Sequence, residues 1–151
     1  LPYIVGLATA IERAYARLPE MERVKELRNY LIDNILAAIP HSTLNGPRAG
    51  RLPGNVNIGF EYIEGESMLL LLDAEGIAAS TGSACSSASL DPSHVLLAIG
   101  VPHERAHGSL RLSISTETTK EDADYILEKL PPIVQRLRDM SPLYEEAMQA
   151  K

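Results

Sequence analysis

The chain has no tryptophan, one phenylalanine (Phe60) and one cysteine (Cys85). A core built from it must rely on Leu, Ile, Val and Ala. A lone cysteine cannot close an intrachain disulfide, which fits a reducing, cytoplasmic setting. Long apolar runs are also missing. The longest, Met68 to Leu72, is far short of a bilayer span, so no membrane association is expected. No basic cluster interrupts a net charge of −6, which argues against nucleic acid as a partner. The glycines form neither a dinucleotide fingerprint nor a P-loop. No Gly-x-Ser-x-Gly elbow supports a hydrolase. The first residues lack the basic and apolar stretches of a secretory leader. The chain opens on Leu1 rather than methionine, which suggests an upstream portion.

What is present reads as one domain. Its 151 residues, 45% hydrophobic and 23% charged, suffice for a single core and show no disorder signature. Ile4, Leu7, Ile11, Tyr15 and Leu18 fall at helical spacing before Pro19. Val24, Leu27, Leu31, Ile35 and Leu36 mark a second helix, closed by Pro40. A short strand is expected at Thr43–Leu44 and a half-buried one at Asn55–Phe60. Glu64–Asp73 reads as a helix, Ile77–Ser80 as a strand, and Asp91-Pro92 as the start of a helix reaching Ile99. Ser109–Ser115 alternates, with Leu110, Leu112 and Ile114 facing a core. Thr118 and Glu121 are spaced for a capping box. The helix after them has Ile126, Leu127, Leu130, Val134 and Leu137 on one side, and Pro131 and Pro132 should interrupt or kink it. Leu143–Gln149 reads as a terminal helix. The order α-α-β-β-α-β-α-β-α-α implies an α/β chain of the α+β kind. Helices should pack on a small, mainly antiparallel sheet.

Three sets of residues could carry chemistry. Cys85 sits in Ser80–Ser89, where every residue is small. A buried structural thiol is the plain reading. The absence of bulky neighbours instead describes an accessible thiol on a mobile loop, suited to a nucleophile. Arg111 points away from Leu110 and Leu112. Strand spacing favours a solvated arginine, while a planar guanidinium also suits a carboxylate clamp. The spacing of His94, His103 and His107 matches no usual zinc pattern, and one cysteine is too few for the commonest structural sites, so metal binding by these histidines is not expected. His103 and His107 lie among loop signals and are expected at the surface.

The stretch Ser80-Thr-Gly-Ser-Ala-Cys-Ser-Ser-Ala-Ser-Leu-Asp-Pro-Ser-His-Val95 resembles the active-site loop of NifS/IscS-type cysteine desulfurases. Its length separates that branch from the short-loop SufS type. Arg51-Leu-Pro-Gly-Asn-Val-Asn57, Glu64-Gly-Glu66, Ala106–Ser113 and Leu137–Tyr144 resemble the flanking segments in the family's order. The resemblance implies the small C-terminal domain of a fold-type I pyridoxal-phosphate enzyme, residues 1–151, without its cofactor domain. It implies conversion of L-cysteine to L-alanine, with Cys85 as the nucleophile that holds a persulfide and Arg111 binding the substrate carboxylate. A homodimeric full-length enzyme and an iron–sulfur scaffold protein of the IscU/NifU type as acceptor are further implications. So is a transient 2Fe-2S cluster with Cys85 among its ligands. The tail from Ser141 onward is a candidate docking segment. Thr81 stands where the family usually has serine, and Ser115-Thr116-Glu117 replaces a stretch that often carries an arginine and an aromatic. Lys25, Lys120, Lys129 and Lys151 do not match the Schiff-base lysine motif, so no cofactor-binding residue is expected here and the chain alone should be inactive. A free-standing sulfur carrier or scaffold-docking module with Cys85 as acceptor, and a purely structural domain, are the alternatives.

Overall fold

The computed structural model describes residues 1–81 and 92–149. The loop around Cys85 therefore lies outside the described residues, as does Asp91. Helix α1 spans Pro2–Ala16, with Pro2 at the first turn. A single 3-10 turn at Leu18–Glu20 leads into α2, Met21–Ala38. Val24, Leu27, Arg28, Leu31, Ile32 and Ile35 of α2 are buried at 3–4-residue spacing, the stripe of a core-facing helix. Ile39 then becomes extended, as a residue before proline prefers.

Three strands follow: β1 Ser42–Leu44, β2 Asn55–Phe60 and β3 Ser109–Ser113. They form one antiparallel sheet in the order β1-β2-β3. Between β2 and β3 lie α3 (Gly65–Ala74), α4 (His94–Ala98) and α5 (His103–His107). Helices α6 (Lys120–Asp139) and α7 (Pro142–Gln149) complete the described chain. Val56, Ile58 and Phe60 alternate along β2 and face Leu110 and Leu112 of β3 in one buried cluster with Leu31, Ile35, Met68, Leu72, Leu130 and Val134. Helices α2 and α3 both pack on α6, and α2 also packs on β1 and β2. The helical layer thus covers the apolar face of the sheet.

The sequence expectations hold for most elements and fail at four places. Ile77–Ser80 is not a strand. Only Ser80 bridges β3, at Arg111, while buried Ile77 plugs the core. One residue's hydrogen bonds attach this segment, so among the described residues the sheet has three strands. The fourth helix begins at His94 behind Ser93, later than Asp91-Pro92. The capping box uses Thr119 and Asp122, because the Thr118 hydroxyl is engaged by the Ser115 N–H at 3.1 Å. His103–His107 forms helix α5 instead of a loop. Pro131 and Pro132 lie inside a continuous α6. Each costs about 3 kcal/mol in a helix interior. Leu130, Ile133, Val134 and Leu137 are buried around them, at about 1.5–3 kcal/mol per side chain, so packing outweighs the lost ladder bonds.

Candidate functional site

The face of the sheet opposite the helical layer is polar. Asn55, Asn57 and Gly59 alternate with the core residues of β2, and Ser113, Arg111 and Ser109 stand opposite them in register. The hydrogen bonds show how Arg111 is presented. Its N–H donates to the Ser80 carbonyl at 2.6 Å and its carbonyl accepts the Ser80 N–H at 3.1 Å. The Asn57 carbonyl accepts the Asn45 N–H at 2.9 Å. Arg111 and Asn57 therefore direct their backbone groups away from each other. They form a non-hydrogen-bonded cross-strand pair, the kind whose side chains lie closest.

Arg111 is half-buried, and its guanidinium has no ion-pair partner among the described residues. Neighbouring side chains are tied down. Asn45, only 5% exposed, donates its amide to Asn57 Oδ1 at 2.9 Å, and its carbonyl accepts Arg51 Nη2. Arg28 is buried in α2. It reaches the Arg51 and Leu52 carbonyls at 3.2 and 3.1 Å and holds the 45–53 loop against the helix. Burial pulls the Arg51 guanidinium below its ordinary pKa, and the charges of Arg28 and Arg48 add to that effect. Asn45, Asn57 and Ser80 were not among the candidates named from sequence. The alternation of β2 places Asn57 on the same face as Arg111. Nothing local marks Asn45 or the Ser80 bridge.

The segment leading toward Cys85 is fixed as far as Thr81. A Cβ added to Gly65 would meet the His107 carbonyl oxygen at 2.7 Å and the Thr81 methyl at 3.0 Å. Only glycine lets the start of α3, the end of α5 and Thr81 come together. Arg111 and the entry to this segment are thus adjacent. The position of Cys85 itself falls outside the described residues.

Among the described residues, the lysines do not join this site. Lys25 pairs with Glu22 at 2.7 Å, Lys120 with Asp124 at 2.5 Å, and Lys129 with Glu75 and Glu128 at 3.5 and 3.2 Å. All three stand on α2 or α6, in the layer covering the opposite face of the sheet. Carboxylate partners raise the Lys120 and Lys129 pKa values, the reverse of what an imine-forming amine requires. The described residues therefore do not fit a Schiff-base cofactor. Two cavities, about 260 Å³ beside Pro131 and Pro132 and about 950 Å³ between α1 and the 114–117 segment, are lined by none of the residues around Arg111. Among the described residues, no helix is long and apolar enough to cross a membrane.

Comparison with known proteins agrees with the resemblance. The profile of the family described as aminotransferase class-V matches residues 1–126. A protein named cysteine desulfurase IscS from Clostridium botulinum is 58% identical over 98% of this chain, which spans 38% of that relative. Its namesake in Methanosarcina thermophila is 59% identical over 95% of this chain and 35% of its own. The chain thus spans little more than a third of the length of these curated relatives. The solved structure of a NifS-like protein superposes with a TM-score of 0.76 at 31% identity, over 89% of this chain and 33% of that one. A NifS-like protein from Rickettsia africae gives 0.70 at 26% identity, over 86% of this chain and 33% of that one. By sequence and by fold, this chain belongs to the class-V aminotransferase family.

Proposed function

We propose that the chain is the small C-terminal domain of a cysteine desulfurase, the part that presents Cys85 as sulfur acceptor and Arg111 as substrate clamp. The observation that carries this reading is the backbone bridge between Ser80 and Arg111. It ties the segment that leads toward Cys85 to the strand position of an arginine that has no ion-pair partner among the described residues. The names of the similar proteins support the same reaction. Arg111 binds the carboxylate of L-cysteine through paired N–H donors. The Cys85 thiolate takes the substrate sulfur: the carbon–sulfur bond of L-cysteine breaks, a sulfur–sulfur bond forms on Cys85, and L-alanine leaves. Pyridoxal phosphate, which the family implies, is held by the rest of the longer protein.

The persulfide then passes to an iron–sulfur scaffold protein of the IscU/NifU type. That partner docks on α7, where Leu143 and Met148 are exposed. Cys85 serves as a transient ligand while a 2Fe-2S cluster assembles, and the full-length protein works as a cytoplasmic homodimer. The test is persulfide trapping and alanine release by the full-length protein. The wild type is expected to do both, and Cys85→Ser to form no persulfide. Arg111→Lys should raise KM for L-cysteine roughly tenfold or more with a smaller change in kcat, as loss of a charge-assisted bond implies. Persulfide formation in Cys85→Ser, or alanine release by this chain alone with added pyridoxal phosphate, overturns the reading. Sulfur accepted on Cys85 without alanine release by the full-length protein identifies a sulfur carrier instead.

A further inference from the structure

Helix α5 is spelled His103-Glu104-Arg105-Ala106-His107. From sequence, with these histidines among loop signals, no metal is expected there. In a helix, however, residues four apart share a face, and on helix α5 His-Glu-x-x-His is the spacing with which helices present two imidazoles to one metal ion. The structure brings these two rings together, with centroids 4.9 Å apart and planes at 62°. Two imidazoles bound to one ion at about 2.0–2.1 Å, with a ligand–metal–ligand angle between octahedral and tetrahedral, have centroids about 4.5–5.2 Å apart. The observed separation lies inside that range.

The helix is also held in place. Ala106 is 3% exposed, its N–H donates to the Pro102 carbonyl at 3.0 Å, and the Gly108 carbonyl accepts the Phe60 N–H at 2.9 Å. Arg105 faces Glu61 at 3.8 Å. His103 is exposed and His107 half-buried, so the pair is anchored yet open to solvent. Preorganisation of this kind lowers the ordering cost of chelation.

We infer that His103 and His107 form a two-histidine site for a divalent first-row transition ion of the zinc or copper class, with water filling the other positions. Imidazole is the ligand these ions favour. Among the described residues, no third histidine, cysteine or carboxylate joins the pair. The inference stands apart from the desulfurase reading, because it uses neither Arg111 nor Cys85.

The test is calorimetric titration of the 151-residue chain with zinc at neutral pH. It is done in a Cys85→Ser background, because a thiol could bind the same ion. One zinc per chain is expected. His103→Ala and His107→Ala should each weaken it at least tenfold, while His94→Ala on α4 leaves it unchanged. Circular dichroism confirms that each variant is folded. A readout independent of substitution is the shift of ring-nitrogen resonances on zinc addition, expected for His103 and His107 together. No binding, binding that survives both α5 variants, or ring shifts confined to His94 or His41 overturns the inference.

Discussion

At the scale of single residues, buried polar groups define this molecule more sharply than its aliphatic core does. Arg138 is 2% exposed and donates to the Glu61 and His41 carbonyls at 3.2 Å, with Tyr144 of α7 stacked 5.6 Å away. Burial pulls its pKa down, while Tyr144, Glu61 and Tyr62 push it up. Arg138→Met fills the space but removes both donors and the ring contact. It should lower unfolding free energy by about 2–3 kcal/mol, read as a lower urea midpoint with unchanged slope. Cys85 and Arg111 were both legible in the sequence as candidates, for different reasons. Cys85 stood out by the smallness of its neighbours, whereas Arg111 was one polar residue in an alternating strand. Its environment comes from Ser80 and Asn57, which are distant in sequence and reach it only through the sheet.

At the scale of elements, the ends of helices were harder to place than their bodies. The box at the start of α6 is one residue later than the spacing of Thr118 and Glu121 suggests. The Thr119 hydroxyl accepts the Asp122 N–H at 3.1 Å, and Asp122 accepts the Thr119 N–H at 2.9 Å. Thr119→Ala should cost about 1 kcal/mol. The Thr119 N–H first, and the Thr119 side chain second, hold the Asp122 carboxyl below its ordinary pKa. A depressed acid stabilises the fold above its unfolded pKa and loses that effect as pH falls through the folded value. The gap in melting temperature between wild type and Asp122→Ala should therefore be open at neutral pH and narrow below about pH 3.9. Helix α5 was missed because Pro102 and Gly108 bracket it with loop signals. Five residues are too few to show helical periodicity against that background.

At the scale of the whole molecule, α1 differs from every longer helix. None of its residues is buried, and Tyr3, Ile4, Leu7, Ile11 and Tyr15 are each more than half exposed. Its C-cap, Arg17, ties it to the segment after β3, reaching Glu117 at 2.9 Å and Thr116 at 3.2 Å. Exposed ion pairs of this kind contribute little. Hydrogen exchange on the isolated chain should show α1 amides exchanging far faster than those of Leu31–Ile35, since local opening costs least where few apolar contacts are lost. Equal protection in the two helices would mean that α1 is covered in solution.

The sequence by itself determined the order of most elements, the inward residues of β2 and β3, and the family, because periodicity and the Ser80–Val95 motif are written in neighbouring residues. Tertiary structure decided what depends on distant partners. It carried α6 through two prolines by packing Leu130 and Val134 into the core, and it reduced Ile77–Ser80 to a single bridge. It also set Arg111 beside Asn57 and Ser80. Such outcomes turn on contacts made only when strands and helices far apart in the chain meet, so no local pattern encodes them.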